Sequence, residues 1–134
     1  MSGESTADLL VERLDGDIVV VTLNRPQAKN TVSFGMWEAF AQLLTEVEAG
    51  TPPRALVIRG AGGYFSSGGD VKNPPARGEG ALNLAARLEL GQRCIRRLAA
   101  LPVPTIAAVE GGAWGVSWGL ALACGLATVV LAWP

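Results

Sequence analysis

The fold of this chain is decided by the stretch Tyr64-Phe65-Ser66-Ser67-Gly68-Gly69-Asp70-Val71-Lys72 and by the run before it, Ala55–Gly60. The earlier run is apolar, which predicts a buried strand. The serines and glycines that follow predict a sharp turn, because glycine adopts positive φ and lets a ligand approach the backbone closely. Successive exposed N–H groups in such a turn form a concavity that binds anions. We therefore expect a strand that ends in a loop suited to a negatively charged atom.

A second stretch has the same design. Thr105–Val109 is an apolar strand candidate, and it runs into Glu110-Gly111-Gly112-Ala113-Trp114-Gly115, where a helix-like segment begins. Two strand ends, each followed by a loop that offers backbone N–H groups, can hold one developing oxyanion between them. Ordinary strand-to-helix turns have a similar composition, so the residues alone leave both interpretations open.

Composition narrows the class of protein. The chain has 134 residues, of which 49% are hydrophobic, and a net charge of −1. This predicts one folded domain, residues 1–134, and argues against disorder. The near-neutral charge gives no electrostatic reason to expect a nucleic-acid partner. There is no histidine, which excludes Ser-His-Asp and Cys-His catalysis and removes the commonest zinc ligand, so we expect no metal site.

The two cysteines and the two ends of the chain predict the cellular compartment of the protein. Cys94 and Cys124 are a widely spaced pair, which predicts free core thiols in a reducing compartment and no disulfide framework. Residues 1–8 lack the basic and apolar regions of a signal peptide, so we expect a cytoplasmic protein. From Gly111 to Pro134 no residue is charged. That length just spans a bilayer, and a membrane anchor is the less favoured alternative to a helix buried in a larger protein.

The remaining pattern predicts alternating strands and helices. Residues 9–14 and 17–23 read as strands joined by an Asp15-Gly16 hairpin. A helix is predicted over residues 34–49, with Asn30, Thr31 or Ser33 as its N-cap. Its apolar positions recur every three or four residues; they are Met36, Phe40, Leu43, Leu44 and Val47. This alternation implies an α/β layout with crossover connections.

A second helix is predicted over residues 81–100. Its apolar positions lie on one side of the helix; they are Leu84, Leu88, Gly91, Ile95 and Leu98. Arg93, Arg96 and Arg97 are expected to form a solvated face near the helix end, where positive charge suits the macrodipole. A phosphate-binding role for these arginines is the less favoured alternative.

Four segments, in order, resemble the N-terminal half of the enoyl-CoA hydratase/isomerase (crotonase) superfamily. They are Val20–Asn30, Ala55–Gly60, Phe65–Lys72 and Pro104–Cys124. The resemblance covers residues 8 to 125. It implies an α/β, crotonase-like (ClpP/crotonase) spiral of strand–helix units that is truncated before the family's C-terminal helical region. It also implies self-association, since the full-length family forms trimers or hexamers.

The resemblance implies that the protein binds an acyl-CoA thioester and stabilises its enolate. The backbone N–H groups of Gly69 and Val116 would form the oxyanion hole. Valine at 116, where the family often has glycine, is tolerable because only the backbone donates. Coenzyme A would be part of the substrate, and no separate cofactor is implied. The implied substrate-binding residues are Arg25, Ala28, Ser67, Gly68, Asp70, Val71, Lys72 and Gly115.

Acid/base residues are missing from the resemblance. Hydratases of the family carry two glutamates; the position of the first aligns with Gly119 and that of the second falls beyond Pro134. Glu110 stands where the family more often has asparagine and is expected to be a turn residue. Hydratase, isomerase-like or other thioester chemistry therefore stays open. The alternatives are a non-catalytic acyl-CoA-binding module and an inactive homologue, and we expect a truncated product, a frame-shifted product or a fragment.

Overall fold

The computed structural model describes residues 7–69, 80–124 and 127–131. Within these residues, five strands form one sheet and three helices accompany it. The elements in chain order are β1 (Leu9–Leu14), β2 (Ile18–Leu23), α1 (Phe34–Ala49), β3 (Ala55–Gly60), α2 (Gly80–Ala99), β4 (Thr105–Glu110), α3 (Val116–Leu122) and β5 (Ala127–Leu131). Short 3₁₀ turns occupy Pro26–Ala28 and Ala61–Gly63.

The sheet has the strand order β1-β2-β3-β4-β5. The first pair is antiparallel, and its turn has positive φ at Gly16 (85°) and Asp17 (61°). The predicted Asp-Gly hairpin is thereby confirmed, with β2 starting at Ile18 because Asp17 belongs to the turn. The other pairs are parallel. Since parallel strands point the same way, the segments after β2, β3 and β4 leave the sheet at one edge, where ligands bind in open α/β sheets.

The core lies where the register brings apolar residues together. Val21 pairs with Ile58 and Ile58 with Ala107 across three strands, and all three side chains are fully buried. α1 begins after Ser33, whose hydroxyl accepts the Met36 N–H at 3.3 Å. The predicted apolar face of α1 is buried throughout. The range and the core face of this helix are therefore confirmed.

α1 and α2 pack closely at a glycine. A Cβ at Gly91 would lie 3.1 Å from the Trp37 ring, so glycine lets the helices approach. The predicted inner face of α2 is confirmed at Gly91 and Leu98, which are buried, and at Ile95, which packs partly buried against the core. It is wrong at Leu88, which is 54% exposed, whereas Leu90 packs against the core instead. The side chain of Leu84 lies outside the described residues.

The arginine face of α2 divides into two parts. Arg93 and Arg96 are exposed, as predicted. Arg97 instead lies against α1, with its guanidinium nitrogens 2.5 and 3.5 Å from the two carboxylate oxygens of Glu48. This side-chain hydrogen bond lowers the pKa of Glu48.

The uncharged C-terminal run does not form one helix, and that expectation was wrong. It contains the seven-residue α3 and then β5, which pairs in parallel with β4. The physical reason is the β-branched content of residues 127–131, which favours a strand, together with the backbone groups that β4 offers for pairing. In the part of the chain that the structure describes, no helix is long and apolar enough to cross a membrane.

Both cysteines are free and buried, as predicted. Burial raises the pKa of the Cys124 thiol to about 11, against a smaller opposing effect of its hydrogen bond with Thr105. Burial also raises the pKa of Cys94. Each behaves as a small apolar core residue that is protonated at neutral pH.

Candidate functional site

Two loops meet beyond the carboxyl ends of β3 and β4. Ser66 and Ala113 form a parallel bridge: the Ser66 N–H donates to Gly112 O and the Trp114 N–H donates to Ser66 O, each at 3.1 Å. One residue earlier, the Phe65 N–H donates to Glu110 O at 2.8 Å. The loops are thus held in register. Gly69 and Val116 each lie three residues after the bridged pair.

Glycine is required where the loops come closest. Gly68 has φ of 107°, and a Cβ there would lie 2.9 Å from Trp114 O. Gly115 has φ 55° and ψ −130°, and a Cβ built on it would stand 3.9 Å from the Cα of Gly68. Any other residue at 68 would therefore be strained and would push the loops apart.

Buried serine hydroxyls join the loops. Ser66 Oγ donates to Asn30 O at 2.7 Å and accepts the Gly68 N–H at 3.1 Å. Ser117 Oγ lies 2.6 Å from Trp114 O and 3.0 Å from Ser66 O, and it accepts the Trp114 N–H at 2.8 Å. Both serines are fully buried. In such surroundings these bonds hold the backbone of both loops in one arrangement.

Asn30 is a residue whose importance sequence reasoning missed, since it was considered only as a helix cap. It is fully buried and has φ of 55°. Its Nδ2 donates to Ala61 O at 2.9 Å and Tyr64 O at 2.6 Å, and its Oδ1 accepts the Arg25 N–H at 2.8 Å. Asn30 therefore ties the turn after β2 to the turn after β3. The signal was present, because asparagine is enriched at positive φ.

The two predicted oxyanion donors have their N–H groups uncommitted within the described residues. Gly69 and Val32 form a parallel β-bridge, in which the Val32 N–H donates to Gly68 O at 2.8 Å. This hydrogen bond does not use the Gly69 N–H. Around a Cβ placed on Gly69, no atom lies within 4 Å. Val116 is the first residue of α3, while the following N–H groups, of Ser117 and Trp118, donate to Trp114 O and Gly115 O. N–H groups in the first helical turn lack intrahelical acceptors.

The predicted CoA-binding residues before α1 lie beside these loops. Ala28 ends a 3₁₀ turn, and the O of the next residue, Lys29, accepts the Ser67 N–H at 2.9 Å. The guanidinium of Arg25 donates to Thr31 O at 3.1 Å and lies 3.9 Å from the Asp8 carboxylate. These contacts seat the turn that contains residues 25–30 directly against the 66–69 loop.

Backbone groups of the 66–69 loop and the Lys29 side chain bear on ligand binding here. The N–H groups of Ser67 and Gly68 are both used inside the protein, so the Ser67 carbonyl is the group that the described contacts leave for a ligand. The Lys29 ammonium stands 5.7 Å from the centre of the Tyr64 ring. Three other predicted binding residues, Asp70, Val71 and Lys72, lie outside the described residues.

Gly119 is the position at which the resemblance expects the first glutamate of the family's hydratases. Gly119 lies on α3, and a Cβ there would have the Ile95 methyl at 3.5 Å as its nearest neighbour, an ordinary contact. Glu110 has a backbone role, since its O accepts the N–H groups of Phe65 and Gly112, both at 2.8 Å. Among the described residues no cluster of His, Cys, Asp and Glu is suited to a metal ion.

The sequence model of the family described as enoyl-CoA hydratase/isomerase matches residues 13–131. The chain belongs to this family. The family membership predicted from four short segments is thereby confirmed. Solved structures of related proteins share the α/β, crotonase-like architecture of this chain, so the predicted fold class is confirmed.

Individual members of the enoyl-CoA hydratase/isomerase family show the extent of the likeness. A probable enoyl-CoA hydratase of Bacillus subtilis is 34% identical over 112 residues, which are 83% of this chain and 42% of that protein. An Arthrobacter 4-chlorobenzoyl coenzyme A dehalogenase is 31% identical over 95% of this chain and 46% of its own length. The crystal structure of a Bacillus anthracis enoyl-CoA hydratase superposes with a TM-score of 0.81 at 26% identity, covering 90% of this chain and 46% of that one. The chain thus spans less than half the length of these relatives.

Proposed function

We propose that the protein binds an acyl-CoA thioester and stabilises the enolate of its acyl group between the backbone N–H groups of Gly69 and Val116. The observation that supports this best is the registered pairing of the two loops, in which Ser66 is bridged to Ala113 and each proposed donor follows three residues later. Backbone donors that are held by buried hydrogen bonds need no reorganisation when charge develops on the substrate.

The chemistry follows from the thioester. Its carbonyl oxygen gains negative charge when the α-carbon loses a proton or when the β-carbon is attacked. Two fixed N–H donors at that oxygen lower the energy of the enolate, and losing one such donor costs about 3–4 kcal/mol. The relatives named above include a hydratase and a dehalogenase, which carry out different reactions on CoA thioesters. We propose that this chain carries out the step that such reactions share, the stabilisation of negative charge on the thioester oxygen.

The nucleotide part of the substrate is proposed to lie along the turn formed by residues 25–30 and the 66–69 loop. Arg25 and Ala28 would line the channel, and the Ser67 carbonyl would accept from the adenine amino group. The exposed Lys29 ammonium, beside Tyr64, supplies positive charge for a phosphate. Cytoplasmic location and assembly into a trimer or hexamer stay predictions from the sequence.

The experiment that tests this function is calorimetric titration of the 134-residue chain with acetyl-CoA. The informative variant is Val116→Pro, because proline lacks the N–H and is tolerated at the first position of a helix. Val116→Ala is the matched control, since it also removes the valine side chain but keeps the backbone N–H. In a parallel titration with an enolate analogue, the ionised form of acetoacetyl-CoA, we expect Val116→Pro to weaken binding at least tenfold. Equal affinities for the two variants would contradict the proposal.

A further inference from the structure

The two tryptophans beside the proposed oxyanion site are placed unusually for large apolar side chains. Trp114 is 64% exposed and Trp118 is 52% exposed. The other side of α3 is buried through Ser117, Leu120 and Ala121. An exposed indole loses the free energy that its burial would contribute, so two neighbouring ones point to a binding surface.

These tryptophans line a common groove. It has a volume of about 460 Å³, and its walls are Ala113, Trp114, Gly115 and Trp118. A volume of this size suits a small-molecule substituent. No lining residue carries a charge, and Gly115 adds no side chain to the groove. Val116, the proposed second oxyanion donor, directly follows Gly115 in the chain.

The edge of the Trp114 indole lies close to the backbone of Gly112. A Cβ at Gly112 would lie 2.8 Å from Trp114 Nε1 and 2.9 Å from Tyr64 Oη, so the glycine makes room for both ring edges. Aromatic rings gain from offset-stacked or edge-to-face contact beyond the area that they bury.

We infer that the groove between Trp114 and Trp118 binds an aromatic acyl group, so that the substrate class is aryl or arylalkanoyl thioesters of coenzyme A. This inference rests on the proposed function, because it takes the thioester carbon to lie at Val116. The commitment to an aromatic group comes from the two indole walls, the absence of charge and the continuity of the groove with the proposed oxyanion donor. The two indole walls provide π faces on which a planar ring stacks.

The test compares three thioesters on the same chain by titration: acetyl-CoA, benzoyl-CoA and cyclohexanecarbonyl-CoA. The last two have rings of equal size, and only benzoyl has π faces. We expect benzoyl-CoA to bind about fivefold tighter than cyclohexanecarbonyl-CoA. Trp118→Leu and Trp114→Leu should each abolish the preference for benzoyl-CoA over cyclohexanecarbonyl-CoA. Leu122→Ala, which alters an equally exposed residue of α3 outside the groove, should retain the preference.

The outcomes separate this inference from the proposed function. Binding of acetyl-CoA with no aromatic preference, or a preference that survives both tryptophan variants, overturns the inference and leaves the proposed function standing. Failure to bind any of the three thioesters overturns both. Sedimentation of the same samples adds an independent check. If Trp118→Leu converts an oligomer to a smaller species, the groove is a contact between copies of the chain and the inference fails.

Discussion

The hydroxyl oxygen of Ser117 lies 3.0 Å from the carbonyl oxygen of Ser66, and this contact joins the two loops that carry the proposed oxyanion donors. The residues are 51 positions apart in the sequence and both are fully buried. The same hydroxyl accepts the Trp114 N–H at 2.8 Å. One side chain thus orients the backbone on both sides of the proposed site.

Ser117→Ala should therefore weaken substrate binding as well as stability. It removes a buried hydrogen-bonding group between the loops, while the Trp114 N–H keeps Ser66 O as an acceptor at 3.1 Å, so the free energy of unfolding should fall by about 1 kcal/mol. Thr105→Val is the matched control, because Thr105 is also buried and hydrogen-bonded but stands at the start of β4, the opposite end from the site. Urea unfolding and acetyl-CoA titration measure the two effects. If both variants weaken binding equally, Ser117 has no specific role in positioning the loops.

Gly68→Ala should separate the loops. The added Cβ would meet Trp114 O at 2.9 Å in a residue with φ of 107°, so we expect a loss of about 1–3 kcal/mol in stability together with loss of acyl-CoA binding. Gly16→Ala is the control, since Gly16 also has positive φ (85°) but has no atom within 4 Å of the added Cβ. Gly16→Ala therefore introduces the strain of positive φ without a steric clash. A Gly68→Ala protein that binds acyl-CoA normally would show that close approach of the loops is unnecessary.

Gly119→Glu should add a carboxylate where the family's hydratases have one. The Cβ has space beside Ile95, and replacing glycine within a helix contributes up to about 1 kcal/mol of stability. Because the position of the family's second glutamate falls beyond Pro134, we expect this variant to gain only slow hydration of a short enoyl-CoA, measured as loss of enoyl absorbance. Gly119→Gln has the same shape without the charge and should gain none. Equal activity in both variants would exclude an acid/base role for this position.

Thr22→Val should stabilise the protein. Thr22 is buried, and its hydroxyl is the one buried side-chain polar group in the described residues for which no hydrogen-bond partner is found. Valine has the same shape and removes the unsatisfied group, so the free energy of unfolding should rise by about 1 kcal/mol. The opposite change is expected for Thr105→Val, whose hydroxyl is bonded to Cys124. A destabilised Thr22→Val protein would mean that the hydroxyl has a partner.

The Glu48–Arg97 pair should make stability depend on pH. The hydrogen bond from Arg97 lowers the pKa of Glu48 below its ordinary value of 4.5. Its contribution is therefore present above pH 4.5 and is lost as the pH falls through the lowered pKa. Glu48→Gln should be slightly less stable than the parent protein at pH 7, and the difference should vanish in acid. Glu89→Gln, which removes the exposed partner of Arg93, is the control in urea unfolding. A difference that persists in acid would exclude this origin.

Local sequence patterns determined much of the fold. The helical spacing of the apolar residues in α1, the hairpin at Asp15-Gly16 and the short apolar strands depend on backbone preferences within a few residues, and the structure has them where they were predicted. Four short segments were also enough to identify the family, because each keeps the residue types that its turn requires. The glycine-rich loops after β3 and β4 left two interpretations open, and Gly69 and Val116 were named as donors from the resemblance to that family.

Other features were decided only by tertiary structure. The roles of Asn30, Ser66 and Ser117 come from hydrogen bonds between residues 31 to 51 positions apart, which no local pattern encodes. Whether residues 127–131 form a helix or a strand depended on the unpaired groups of β4, and the exposure of Trp114 and Trp118 depended on which side of α3 faces the core. Backbone preferences act over a few residues, whereas burial and pairing are set by the elements that pack alongside.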